Sequence, residues 1–146
     1  MVWKGRSGSD RAFNAPLALG FLLLRTAVGV IFVVHGWEKV STRVHHFTPV
    51  VASLRFPHPV VFAWLAALSE LLGGLSLILG VYARVGALFL CVVMAVAIMG
   101  VHWSHGLTGS EGFEFPLALF ASCLLLLLGG GGPWSLDRLW TRSPWR

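Results

Sequence analysis

Long apolar stretches separated by short polar segments make up most of this chain of 146 residues. Four of them, at about residues 16–37, 59–82, 84–103 and 113–132, each hold the roughly 20 residues that cross a 30 Å hydrocarbon core as a helix. They are rich in Leu, Ala and Gly and lack the alternation of barrel strands. The pattern therefore predicts an all-α integral membrane protein, a bundle of four transmembrane helices.

The composition supports this prediction, because 56% of the residues are hydrophobic and only 12% are charged. The formal net charge is +5, but the basic residues are spread along the flanks of the apolar stretches. No folded soluble region is left to form a nucleic-acid groove. We therefore expect no nucleic-acid partner, and membrane lipid with anionic headgroups is the expected counter-charge.

The basic residues also predict the orientation, since Lys and Arg near helix ends are retained on the cytoplasmic side. With four crossings both termini share one side, and that side collects most of the basic residues: Lys4, Arg6, Arg11, Arg84, Arg138, Arg142 and Arg146. We expect both termini to be cytoplasmic. The domain organisation is then a basic tail at 1–15, a four-helix domain at 16–140 and a second cytoplasmic tail at 141–146.

Two apolar stretches carry a charged residue near their middle, Arg25 in the first and Glu70 in the second. A charge at membrane depth costs at least about 2.5–3.5 kcal/mol, so it normally faces the bundle interior and has a partner. Arg25 lies nine residues into the first span and Glu70 eleven into the second, so an ion pair near mid-membrane is feasible. Such a pair either only holds the helices together or lines a pocket for a quinone, a proton or a small substrate.

Small residues accompany both charges at helical spacing. The first helix carries a stripe made of Arg25, Gly29, Phe32, Gly36 and Lys39. The second carries a matching face made of Ala63, Ala66, Ala67, Glu70, Gly73, Gly74 and Leu77. Small residues let two backbones approach closely in a membrane, so we expect these two faces to meet.

A second polar group is expected at the outer ends of the helices. Its members are His35, Glu38, His102, His105, Glu111 and Glu114. Histidine exchanges protons near neutral pH and carboxylates can orient it, so this layer is a candidate proton pathway. Plain hydrogen bonding at helix ends is the alternative, and no metal site is predicted.

The two cysteines, Cys91 and Cys123, fall at similar depth in the third and fourth spans and are expected to act as small apolar residues. The chain has no C-x-x-C motif, no glycine-rich nucleotide loop and no cysteine set for an iron–sulfur cluster. It carries no complete catalytic apparatus, so whether it is an enzyme stays open. No cofactor is firmly predicted, although a quinone is possible.

Taken in order, several of these residues resemble the DoxX family of small four-helix membrane proteins over about residues 17–140. The first helix matches through Leu22-Leu23-Leu24-Arg25, Gly29, Phe32, His35-Gly36 and Lys39. The second helix and its turn match through Glu70, Gly73-Gly74, Gly80 and Arg84, and the approach to the last helix through Gly112-Phe113-Glu114-Phe115-Pro116.

The family's name comes from a membrane subunit associated with thiosulfate:quinone oxidoreductase. The resemblance thus implies a quinone-linked membrane subunit of an oxidoreductase assembly, carried by Arg25, His35, Glu70, His102 and Glu114. It also implies the bacterial or archaeal cytoplasmic (inner) membrane and a hetero-complex with a redox protein, or else a homo-oligomer. The alternatives are a non-enzymatic anchor or assembly factor for a partner protein, and a small-molecule transporter.

Overall fold

The computed structural model describes the backbone of residues 8–141 and the side chains of residues 15–41 and 44–138. All regular structure in this range is helical. The α-helices are α1 (Gly8–Glu38), α2 (Val44–Ser53), α3 (Pro59–Leu79), α4 (Ala83–Val96), α5 (Glu114–Gly129) and α6 (Leu136–Thr141). A π-helical turn, Lys39–Arg43, joins α1 to α2, and α4 continues through a π-helical segment, Ala97–His102, and a 3₁₀ turn, Trp103–His105.

Three of the helical stretches are long and apolar enough to cross a membrane: Ala15–Ser41, Pro59–Leu79 and Ala83–His105. The fourth, α5, has 16 residues and is about 24 Å long. It is shorter than the predicted span at 113–132 because the backbone leaves the helix at Gly130, where φ is 75°. The all-α prediction is confirmed, and the chain is a membrane helical bundle.

The bundle has two ends. We call the end formed by residues 39–58 and 103–113 the loop end, and the end formed by residues 80–83 and 130–141 the terminal end. The predicted tails fall mostly outside the described residues, and α1 already begins at Gly8, inside the first of them. The cytoplasmic orientation of the terminal end stays a prediction.

The small-residue faces of α1 and α3 meet as predicted. A Cβ added at Gly29 would lie 2.7 Å from the carbonyl oxygen of Gly74, and one added at Gly74 would lie 2.7 Å from the carbonyl oxygen of Gly29. Further along, a Cβ at Gly36 would lie 2.5 Å from the backbone nitrogen of Leu71. The two backbones are therefore in direct contact, which is the close approach that glycine permits in membrane helices.

The main core lies between α1, α3, α4 and α5. Its largest fully buried side chains are Phe32, Leu77, Leu90, Cys123 and Leu126. A separate apolar cluster joins α2 to the first half of α3, where Val44 and Val51 pack near Ala63 and Ala67. α2 is thus a helix held against α3 at the loop end, beside the main core.

Candidate functional site

A buried ion pair lies at the centre of α3. The ammonium of Lys39 donates to both carboxylate oxygens of Glu70, at 2.5 Å from Oε1 and 2.6 Å from Oε2. Glu70 is only 2% exposed and is the twelfth of the 21 residues of α3. A carboxylate is therefore held in the middle of the bundle by a single basic side chain.

Lys39 begins the π-helical turn that joins α1 to α2. Its Nζ lies 4.7 Å from the ring centroid of Phe47, on α2, in a cation–π contact. The Lys39 side chain is 21% exposed, whereas that of Glu70 is 3% exposed. The lysine is thus the more accessible partner, and the turn that holds it is of a kind often found at functional sites.

The sequence pattern places Lys39 on the small-residue stripe of the first helix, but Lys39 is not among the predicted site residues. The available signal was the helical spacing, since Lys39 follows Gly36 by three residues on the face that meets α3. A charge on that face needs a partner on the facing helix. Glu70 is that partner, and we refer to Lys39 and Glu70 below as the central pair.

The predicted pairing of Arg25 with Glu70 is not the pairing that the structure forms. The side chain of Arg25 reaches the end of α3, where a Cβ on Gly80 would collide with Nη1. Gly80 lies ten residues beyond Glu70, or about 15 Å along a helix axis. The predicted first helix ends near Trp37, whereas helical backbone continues to Ser53. The residue of this longer helix that lies opposite Glu70 is therefore Lys39, which follows the predicted helix end.

Arg25 forms its hydrogen bonds with main-chain carbonyls. It is 3% exposed, and it donates through Nη1 to Leu77 O at 3.2 Å and through Nη2 to Trp134 O at 2.7 Å. Its Nε is buried without a hydrogen-bond partner. The last carbonyls of a helix lack partners within the helix, so Arg25 closes the end of α3 and ties the segment after α5 to it.

Asp137 closes the start of α4 in a complementary way. Its carboxylate accepts hydrogen bonds from Tyr82 N at 2.7 Å and from Ala83 N at 3.0 Å, while its own backbone N–H donates to Gly80 O at 2.9 Å. Asp137 also acts electrostatically on Arg25. The sequence carries no local signal for this cap, because the capping carboxylate comes from α6 and not from the residues that precede α4.

The predicted outer layer is spread over the loop end. His102 Nδ1 lies 2.8 Å from the backbone oxygen of Glu111, whereas the side chains of His35, Glu38 and Glu114 are exposed. Within the described residues, no three His, Cys, Asp or Glu side chains come together as a metal-binding group. The proton-pathway role of this layer stays a prediction.

The two cysteines lie on the facing sides of α4 and α5. Both are buried free thiols, and Cys91 Sγ lies 4.0 Å from the backbone oxygen of Phe120, one helical turn before Cys123. They belong to the main core. Their similar depth was predicted, and in this position they pack as small apolar side chains.

Comparison with known proteins supports the fold and the location. YphA of Escherichia coli, described as an inner membrane protein, is 29% identical over 133 residues, which cover 86% of this chain and 94% of YphA. An uncharacterized protein of Haemophilus influenzae is 31% identical over 126 residues, which cover 83% of each chain. A Bacillus subtilis protein named "Putative oxidoreductase CatD" is 29% identical over 120 residues, which cover 80% of this chain and 84% of CatD.

No solved structure matches the chain. The model of the DoxX family matches residues 20–103, which is more than half of the chain and includes both members of the central pair. With its three long apolar helices and a shorter one, the protein is a multi-pass protein of the inner membrane. It belongs to the DoxX family.

Proposed function

We propose that this protein is the membrane-embedded subunit of a quinone-linked oxidoreductase assembly, in which the central pair handles protons. The observation that carries the proposal is the burial of Glu70 at the middle of α3 with Lys39 as its ion-pair partner. Ionisable groups at this depth are expensive to insert, and in membrane proteins they commonly mark proton or substrate pathways.

The proposed chemistry follows from the electrons and protons that reduction of a quinone requires. Its reduction to a quinol takes up two electrons, which a partner redox protein supplies, and two protons, which must reach the quinone oxygens through an apolar interior. In this proposal the Glu70 carboxylate first takes up a proton from the loop end, passes it to a quinone oxygen and returns to the carboxylate, and a second such cycle delivers the second proton. The ammonium of Lys39 holds the carboxylate in place and offers further N–H donors to a quinone carbonyl.

Proton exchange with water takes place at the loop end in this proposal. His35 precedes Lys39 by four residues and is exposed, as is the neighbouring Glu38. Histidine exchanges protons near neutral pH, which suits it to the entry of such a pathway. The oxidoreductase name of the relative CatD supports the same class of function.

The test is purification of the full chain in mild detergent from its native membrane. Native mass spectrometry then identifies co-purifying proteins, and solvent extraction with chromatography measures bound quinone. We expect a redox partner and bound quinone with the wild type. Glu70→Gln should keep the partner and lose quinol formation, whereas Arg55→Gln, which removes an exposed charge at the loop end outside the predicted outer layer, should match the wild type.

Two results would overturn the proposal. A well-folded wild-type protein that carries neither quinone nor a redox partner would refute it. A partner protein without quinone, with a Glu70→Gln variant that behaves like the wild type, would instead support the anchor function.

A further inference from the structure

A cavity of about 450 Å³ opens at the terminal end of the bundle, between the beginning of α1 and the segment that follows α5. Apolar side chains of α1, including Leu17 and Phe21, form one wall. Trp134 and Arg138 contribute to the opposite wall. The cavity is separate from the central pair, since neither Lys39 nor Glu70 is among the residues that line it.

We propose that this cavity is a specific binding site for one anionic phospholipid. The guanidinium of Arg138 pairs with the lipid phosphate, and an acyl chain lies along the apolar wall formed by Leu17 and Phe21. This inference is independent of the proposed redox function. It assigns to the terminal end a ligand with a negative headgroup and a hydrocarbon tail.

The depth of the cavity matches the headgroup region of a bilayer. The backbone oxygen of Trp134 accepts a hydrogen bond from Arg25 at the end of α3. That end, at the capping residue Gly80, lies ten residues from Glu70 at the centre of the helix. Ten residues correspond to about 15 Å, which is half the thickness of a hydrocarbon core of about 30 Å. A lipid phosphate near a membrane-embedded bundle lies at this level.

The charge around the cavity is complementary to a phosphate. Arg138 lines it and brings a guanidinium to the wall opposite Leu17 and Phe21. The neighbouring acid, Asp137, accepts backbone N–H bonds with both carboxylate oxygens on α4. Asp137 is not among the described residues that line the cavity, and Arg138 is the one charged side chain among them.

The apolar wall distinguishes a lipid from a soluble anion. Leu17 is 56% exposed, and together with Phe21 it offers a surface that a free phosphate would leave uncovered. Burial of a hydrocarbon chain against that surface stabilises binding in proportion to the area removed from solvent or detergent. A ligand that has both an anionic group and a hydrocarbon chain fits both walls.

The experiment uses full-length protein in mild detergent with equal amounts of phosphatidylglycerol and phosphatidylcholine that carry identical acyl chains. Native mass spectrometry measures which lipid stays bound. We expect the wild type to retain one phosphatidylglycerol in preference. Arg138→Gln should weaken that retention by about fivefold, the effect of one basic residue near an anionic lipid, and Arg55→Gln, which removes the same charge from an exposed loop-end residue, should not.

Ala15→Phe is the second variant, because Ala15 lines the cavity and is exposed. The larger side chain should fill the cavity and reduce retention of the lipid while every charge is kept. Unfolding curves that match the wild type establish that both variants are folded. Equal retention of the two lipids by the wild type, equal losses in Arg138→Gln and Arg55→Gln, or displacement of the lipid by excess inorganic phosphate would overturn the proposal.

Discussion

Two double-mutant cycles measure which basic side chain is coupled to Glu70. The first cycle combines Lys39→Met with Glu70→Gln, and the second combines Arg25→Met with the same Glu70 variant. Each cycle compares the free energy of unfolding of the wild type, the two single variants and the double variant. The coupling energy is the difference between the loss of unfolding free energy in the double variant and the sum of the losses in the two single variants.

The structure sets the expected magnitudes. At an effective dielectric constant of about 20, two unit charges attract by about 6 kcal/mol at the 2.5–2.6 Å of the central pair, but by only about 1 kcal/mol at about 15 Å. Desolvation offsets much of the gross attraction of a buried pair, so we expect a coupling of about 3 kcal/mol between Lys39 and Glu70. Between Arg25 and Glu70 we expect about 1 kcal/mol or less.

The Glu70→Gln variant alone should also lose a defined amount of unfolding free energy. Glu70→Gln leaves a buried ammonium, which lowers the free energy of unfolding by about 3–5 kcal/mol when no water can reach it. Because the Lys39 side chain is 21% exposed, part of that loss is recovered by extension of its flexible stem toward a polar region. We therefore expect a loss near the lower limit, of about 3 kcal/mol.

The assay is unfolding in mixed micelles of a mild detergent and an increasing fraction of dodecyl sulfate, followed by far-ultraviolet circular dichroism. Glu111→Gln combined with Lys39→Met is the control cycle, with no coupling expected, because Glu111 is an exposed residue of the segment before α5. A coupling to Arg25 that exceeds the coupling to Lys39 would refute the alignment of α1 with α3 described above.

Three further predictions test other contacts. Gly74→Ala places a Cβ 2.7 Å from the carbonyl oxygen of Gly29 and should destabilise the bundle by about 1–3 kcal/mol, whereas Gly20→Ala meets nothing within 4 Å and should be neutral or stabilising in the same unfolding assay. Asp137→Asn should lower the free energy of unfolding by about 1–2 kcal/mol as it weakens the cap of α4, and hydrogen exchange should rise at the first amides of that helix. Phe47→Leu removes the cation–π contact and should lower the free energy of unfolding by about 0.5–1 kcal/mol. An amine-reactive reagent should then label the Lys39 amine faster. An unchanged labelling rate would show that Phe47 does not shield that amine.

The sequence was sufficient to predict the helices and the faces by which α1 and α3 meet. Both predictions use local information: apolar runs of membrane length identify the helices, and the spacing of Gly29, Gly36 and Gly74 identifies the faces. The contacts at these glycines confirm the prediction. Glycine on a helix face has few uses other than close approach, which is why this signal was reliable.

The alignment of α1 with α3 was not predictable in the same way. Glu38 and Lys39 follow a long apolar run, and such charges ordinarily indicate that a helix is leaving the hydrocarbon region. In the structure the charge of Lys39 is neutralised by Glu70, 31 residues later in the chain. The long-range pair thus made a local boundary signal misleading, and the predicted pairing of Arg25 with Glu70 was wrong for the same reason.

The different partners of Arg25 and Lys39 separate a role in folding from a role in chemistry. Both hydrogen bonds of Arg25 end on carbonyl oxygens, which do not titrate, so this residue contributes the same bonds whatever the protonation state of the protein. The bonds of Lys39 end on a carboxylate, and protonation of that carboxylate removes the charge that holds the lysine. Of these two basic residues, Lys39 is therefore the one whose bonds respond to a proton, and a defect in proton transfer caused by an Arg25 variant would have to act through the stability of the bundle.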